Sequence, residues 1–202
     1  LHDYGYLSSD TFTVDILGRL IHCEILEKNA EGKAIKIRVD MGKANFIAKE
    51  VPVIFSKEEC VNEPVTFGGK EFRINCVSVG NPHCVVFRDE LNQVELLKYG
   101  PIIETDKMFP NRTNVQFAHV VNRHLVEIKI WERGVGNTLA SGSSSCAVAS
   151  AMRKNNLVDQ DVTIKMPGGE LQIFIDDEWN IKMTGPAQEI CSGVFSKEML
   201  EA

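Results

Sequence analysis

Apolar and polar residues alternate over much of this chain, and a period of two predicts strands. The pattern marks strands over residues 11–16 and 19–25, hinged at Gly18, and over 34–40, which ends near Gly42. Further strands are expected over 72–79, closed by the turn Gly80-Asn81-Pro82, and over 83–87. Residues 114–120 and 125–131 read as neighbouring strands. Residues 162–166, 171–175 and 180–183 form a late antiparallel group with Gly168-Gly169 as one turn. Helical spacing marks a short helix over 91–99 ending at Gly100, and a second over 101–109 that begins with proline. A longer helix is expected over 141–154. Strands in hairpins with few helices between them favour an α+β fold over a doubly wound sheet.

Composition narrows the function classes. The chain has 202 residues, 44% of them hydrophobic, and a net charge of -6. That is enough to bury one large core or two small ones. The acidic balance argues against a general nucleic-acid binder or an acidic-membrane binder. No apolar stretch approaches a membrane span, and no secretory signal pattern is present. None of Cys23, Cys60, Cys76, Cys84, Cys146 and Cys191 forms a C-x-x-C pair. Free buried thiols in a reducing, cytoplasmic compartment are expected, with no zinc or other metal site. The first residue is Leu1, so a fragment or processed product of a longer chain is expected.

Three places carry candidate chemistry. The helix from Ser141 has a small, apolar body, Cys146-Ala147-Val148-Ala149-Ser150-Ala151-Met152, as in a helix buried on all sides. Its entry, Ser141-Gly142-Ser143-Ser144-Ser145, is polar, so free N–H groups and the positive helix end suit a carboxylate or phosphate. Simple N-capping by serine is the alternative. In the preceding strand, Glu132 continues the face of Val126, Ile128 and Ile130. A carboxylate there is either working or paired, with Arg133 as the adjacent partner. His83 follows the Gly80-Asn81-Pro82 turn, either tuning a neighbouring proton donor or serving the turn structurally.

At these residues the chain resembles the diaminopimelate epimerase family. The resemblance rests on Ser78-Val79-Gly80-Asn81-Pro82-His83, on Phe109-Pro110-Asn111-Arg112-Thr113-Asn114-Val115, and on Trp131-Glu132-Arg133-Gly134-Val135-Gly136-Asn137-Thr138-Leu139-Ala140 before a small-residue helix. Pro167-Gly168-Gly169 and Met183-Thr184-Gly185-Pro186-Ala187 fit the family's closing strands. It implies two similar domains, each a mostly antiparallel sheet curled around a central helix, with an amino-acid substrate in the cleft between them. It also implies a proton swap at the α-carbon without pyridoxal phosphate or other cofactor, by two cysteines on opposite faces. Each would sit at a helix N-terminus, which lowers a thiol pKa and binds the substrate carboxylate.

Carried over residue by residue, Asn81 and Asn114 would bind substrate polar groups. Glu132 and Arg133 would hold the distal amine and carboxylate of a diamino diacid. Gly142 and Ser143 would offer N–H groups to the reacting carboxylate, and His83 and Glu132 would tune the proton donors. Two departures stand out. Ser141 occupies the second catalytic cysteine position and Ser144 a position usually held by glycine. The family's first catalytic cysteine lies in a segment before the point that matches Leu1. Residues 42–186 are therefore expected to form one complete domain, with residues 1–41 and 187–202 part of another. The expected activity is interconversion of LL- and meso-diaminopimelate. The missing segment would come from a longer polypeptide or from another chain, such as a homodimer partner. The alternatives are a catalytically inactive binding domain and a related single-base isomerase.

Overall fold

The computed structural model describes residues 1–16 and 18–200. Strands β1 (Thr11–Ile16), β2 (Arg19–Lys28) and β3 (Ala34–Lys43) form an antiparallel meander. After an irregular stretch come β4 (Glu63–Phe67), β5 (Lys70–Ser78) and β6 (Pro82–Phe87), also antiparallel. Helix α1 (Gln93–Glu104) crosses to β7 (Asn114–Asn122), which lies parallel to β6. Strand β8 (Leu125–Glu132) returns beside β7 and pairs at its end with the short β9 (Gly136–Thr138). Helix α2 (Gly142–Lys154) leads to β10 (Asp161–Met166), which is parallel to β8. Strands β11 (Gly169–Ile175) and β12 (Asn180–Pro186) complete a second meander, and β12 pairs with β3. The twelve strands among the described residues belong to one sheet, and the α+β expectation holds.

The core is organised around α2. Residues Ser144 to Met152 are all buried, and Ala147, Val148 and Ala151 have no exposed surface. Against them pack Val77, Val85, Ile128, Ile164 and Ile173 from five strands. Small side chains let strands approach α2 from every side, so the sheet wraps it. A second core lies on the opposite face of β4 to β7, under α1, and includes Phe72, Ile74, Val86, Leu96 and Phe117. Covered on both faces, β6 and the second half of β5 are buried at nearly every position.

Two helices were expected between residues 91 and 109, but α1 runs through Gly100 and Pro101 without a break. It starts at Asn92, whose side chain accepts from the N–H groups of Val94 and Glu95. Gly100 is not a helix stop. A Cβ there would lie 2.7 Å from Trp131 Cγ, so glycine is what lets α1 seat against β8. The N–H that Pro101 lacks would have served the carbonyl of Leu97, on the exposed side of the helix. Strand β4 was not anticipated, and its Pro64 suits a strand at the sheet edge.

The outer meander β1–β3 differs from the rest. Phe12, Val14, Ile21, Cys23, Ile25, Ile37 and Val39 share one face, continuous with the α2-facing side of β12 through the Val39–Met183 pair. Of these only Ile25 is buried, and Ile16 on the same face is 56% exposed. Strand β3 crosses residue 41 unbroken. No helix among the described residues is long and apolar enough to cross a membrane.

The seating of Trp131 gives a direct test. Gly100→Ala should destabilise the fold by about 1–2 kcal/mol, overpacking against the indole outweighing the gain in helix propensity. Urea denaturation measures it, and a net gain would show that Gly100 is an ordinary helical glycine.

Candidate active site

Ser141 stands as the N-cap of α2 in an extended conformation, φ −159° and ψ 125°, and its Oγ accepts from the N–H of Ser144. Its main-chain N–H points to the Met166 sulfur at 3.4 Å, and its carbonyl accepts from Ser145 Oγ at 2.9 Å. The N–H groups of Gly142 and Ser143 fall in the first turn, where a helix offers no internal acceptor. Gly142 packs so closely that a Cβ would lie 2.9 Å from the Met183 sulfur. The first turn holds no acidic side chain, so nothing offsets its positive end.

Strands β6 and β7 bring polar groups to this end of α2. Asn114 and Gln116 share the α2-facing side of β7 with Ala118. Gln116 Nε2 lies 3.0 Å from His83 Nδ1 and 2.9 Å from Ser144 Oγ. His83 Nε2 in turn lies 2.9 Å from Asn81 Oδ1. A continuous polar line therefore runs from the Gly80-Asn81-Pro82 turn, through β7, to the first turn of α2. Asn114 is cross-strand partner to His83 and binds main chain on both sides. Its Nδ2 donates to the Pro82 carbonyl at 2.9 Å, and its Oδ1 accepts from the Arg133 N–H at 3.0 Å.

His83 is fully buried. Burial lowers its pKa to about 3 against the opposing bond with Gln116, and the positive charge of Arg133 lowers it further. The imidazole is therefore neutral across the physiological range. Its partners are Asn81 and Gln116, not Ser141. Cys146, one turn beyond the helix entry, has its thiol pushed up to about 12 by burial and is inert.

Glu132 lies half-buried at the end of β8, on the same face as Ile130. The adjacent ion pair considered from the sequence does not form. Arg133 is exposed and its Nη1 donates to the Asn111 carbonyl at 3.1 Å. Hydrogen bonds thus link Asn81 and His83 to Ser141 through Gln116 and Ser144, and a separate pair ties Asn114 to the Pro82 carbonyl and the Arg133 main chain. Glu132 and Ser143 join them by chain position alone.

Two contributors escaped the sequence reading. Gln116 had a signal, a carboxamide two residues after Asn114 on a strand facing a small-residue helix. Glu104 had none, because its role depends on the seating of α1. Its buried carboxylate accepts from Trp131 Nε1 at 2.7 Å, the Gly134 N–H at 2.8 Å and Arg112 Nη1 at 3.2 Å. It pins the turn that carries Glu132 and Arg133. Among the described residues no group of three or more metal-ligating side chains is placed to hold an ion. A separate hollow of about 380 Å³ opens near the polar residues His22, Glu24, Arg38 and Lys182, and shares no residue with this set.

Glu104→Ala strands two donors beneath the turn and should cost about 2–4 kcal/mol. Arg112→Ala, removing an exposed partner, should cost under about 1 kcal/mol. Chemical denaturation of both variants tests this, and equal losses would show that the carboxylate acts only as an ion-pair partner.

Residues 75–190 match the family model of diaminopimelate epimerase. Diaminopimelate epimerase 2 of Nostoc sp. is 39% identical over 199 residues, covering 98% of this chain and 68% of that protein. The diaminopimelate epimerase of Geobacillus sp. is 36% identical over 197 residues, 96% of this chain and 69% of that protein. Among solved structures, a predicted epimerase from Pseudomonas aeruginosa aligns with a TM-score of 0.56 at 16% identity, covering 95% of this chain and 71% of that one. A hydroxyproline epimerase from Agrobacterium vitis, solved with trans-4-hydroxy-L-proline, aligns at 0.62 and 12% identity, covering 91% and 59%. At those identities the structures speak for a shared fold. Sequence identity over nearly the whole chain carries the closer relationship: this chain belongs to the diaminopimelate epimerase family.

Proposed function

We propose that this chain forms one side of a cofactor-independent amino-acid epimerase site that interconverts LL- and meso-diaminopimelate. The observation that carries the reading is the open N-terminus of α2, with Gly142 and Ser143 N–H groups unclaimed and a donor-rich polar line leading to it. Such an end stabilises a carboxylate, and stabilises it further when negative charge develops at the adjacent α-carbon. Asn81, Asn114 and Arg133 supply polar groups for the rest of a diamino diacid. Glu132 suits its distal ammonium, since it is half-buried and takes no partner from Arg133.

Ser141 occupies the position from which one catalytic group would meet the α-carbon. Its Oγ accepts from a main-chain N–H and no basic side chain bonds to it. An alcohol so placed is a poor proton donor and a worse base than a thiolate. The same observation favours the second reading, a catalytically inactive domain that binds the amino acid without moving its proton.

The domain assignment is part of the proposal. The β1–β3 and β10–β12 meanders meet at the antiparallel β3–β12 pair, and the strand order on either side of that pair is mirrored. In the second meander β10 lies against β8 and its apolar face against α2. The apolar face of β1–β3 has no such helix among the described residues. Residues 42–186 are read as the complete domain and residues 1–41 with 187–202 as part of its counterpart, completed by further sequence or by another chain. A small amino acid is the ligand, and neither a nucleic acid nor a membrane enters the scheme.

The test is α-deuterium incorporation into LL-diaminopimelate in D₂O. It is run on this chain, on Ser141→Cys, and on a version extended upstream, with and without Ser141→Cys. The extended Ser141→Cys protein should exchange about 10²–10⁴-fold faster than the extended Ser141 protein, the usual yield of a positioned acid–base group. This chain and its Ser141→Cys variant should both be inactive, because the opposite face of the α-carbon lacks its base. Robust exchange by the unmodified chain would overturn the assignment of Ser141.

A further inference from the structure

The polar line from Asn81 to Ser144 has a direction, and Gln116 sets it. A carboxamide nitrogen carries two hydrogens and its oxygen none. Gln116 Nε2 faces His83 Nδ1 and Ser144 Oγ, so both hydrogens are spent as donations. Its Oε1 is buried without a protein partner. Turning the carboxamide over would leave two hydrogens buried and unpaired where one oxygen now is, and orphaned buried N–H groups are rarer than under-satisfied oxygens. The orientation is therefore decided by the network around it.

The consequence passes through His83. With Nδ1 accepting from Gln116, the single proton of a neutral imidazole must sit on Nε2. Asn81 Oδ1, 2.9 Å away, can only accept, and it takes that proton. The oxygen of Asn81 is thereby used inside the protein. Its NH₂, on a half-exposed residue at the turn, is left to donate. At the other end Ser144 Oγ accepts from Gln116 and keeps its own hydrogen to donate. Both ends of the line are donors, beside a helix end that is itself all donors.

We propose that Gln116 is a positioning residue that fixes this polarity, making the Asn81 amide present N–H groups and so select an acceptor such as a carboxylate oxygen over an ammonium. The direction of the line stands independently of the epimerase reading. Only the identity of the ligand rests on that reading. Burial that keeps His83 neutral, and the cationic Arg133 near it, act in the same sense.

The test reads the imidazole directly. Long-range ¹H–¹⁵N spectra of the ¹⁵N-histidine-labelled chain, with His83 assigned by difference against His83→Gln, report which nitrogen carries the proton. The expected result is an Nε2–H tautomer from pH 8 to pH 5. An Nδ1–H tautomer, or a His83 that becomes doubly protonated above pH 5, would overturn the proposal. Gln116→Glu, read at a pH where the introduced carboxyl is ionised, provides the reversal, because a carboxylate can only accept. Its His83 Nδ1 signal should move from the unprotonated to the protonated range, while Gln116→Met, imposing no direction, should give a mixture of tautomers. An unprotonated Nδ1 in folded Gln116→Glu would overturn the proposal. Calorimetric titration with meso-diaminopimelate separates the two readings. Affinity should fall at least about tenfold in Gln116→Glu, the effect of turning one charge-assisted bond into a repulsion. No binding by the unmodified chain would count against the ligand assignment, while the tautomer still decides the role of Gln116.

Discussion

Burial of α2 on all sides is the constraint from which most of this structure follows. Its middle is built from Cys146, Ala147, Val148, Ala149, Ser150 and Ala151, all without exposed surface. No side chain there is long enough to hold a neighbour away, so strands from both halves of the sheet close on it. Polar side chains within it must be satisfied locally, and Ser150 donates to the Cys146 carbonyl at 2.7 Å. A helix sheathed along its length can meet solvent or ligand only at its ends. At the C-terminal end Arg153 closes off the carbonyls of Ile175 and Asp176. The N-terminal end is left with donors and no acid, and the candidate site is built there.

The surrounding parts serve that end in different ways. Gly100 lets α1 approach Trp131, and Glu104 at the end of α1 then reaches the indole and the Gly134 N–H. The turn bearing Glu132 and Arg133 is thus held from the outer core, although Glu132 lies on the inner face of the sheet with Ile130. Asn114 performs a similar service between β6 and β8, with each end of its carboxamide tied to main chain. It acts as a clamp between the two strands. Positioning groups of this kind are buried and satisfied, unlike the groups they position.

Much of this was legible in the sequence because two periods dominate it. Alternation located the strands that line α2, and the run of small residues from Cys146 to Met152 marked the helix that all of them cover. The path of α1 was not legible, since Gly100-Pro101 carries the usual signal of a helix end and only Trp131 explains the glycine. Parallel pairing of β8 with β10 was also hidden, because pairing partners far apart in sequence leave no local mark. At the site, Asn81, His83 and Ser141 drew attention as polar groups at element boundaries, and Asn114 through the family resemblance alone. Gln116 sits inside an apolar strand and Glu104 inside a helix, where a polar residue reads as one exposed face. Their importance comes from what lies across the core.

The claim at the centre of this account is that the N-terminus of α2, with the polar line leading to it, receives the carboxylate of an amino acid. Titration of the ¹⁵N-labelled chain with meso-diaminopimelate, followed by main-chain and side-chain amide shifts, tests it most directly. The account predicts that the N–H signals of Gly142 and Ser143 and the side-chain amide of Asn81 move together along one saturation curve. Shifts confined to the separate hollow around Arg38 and Lys182, with the α2 entry unmoved, would contradict it.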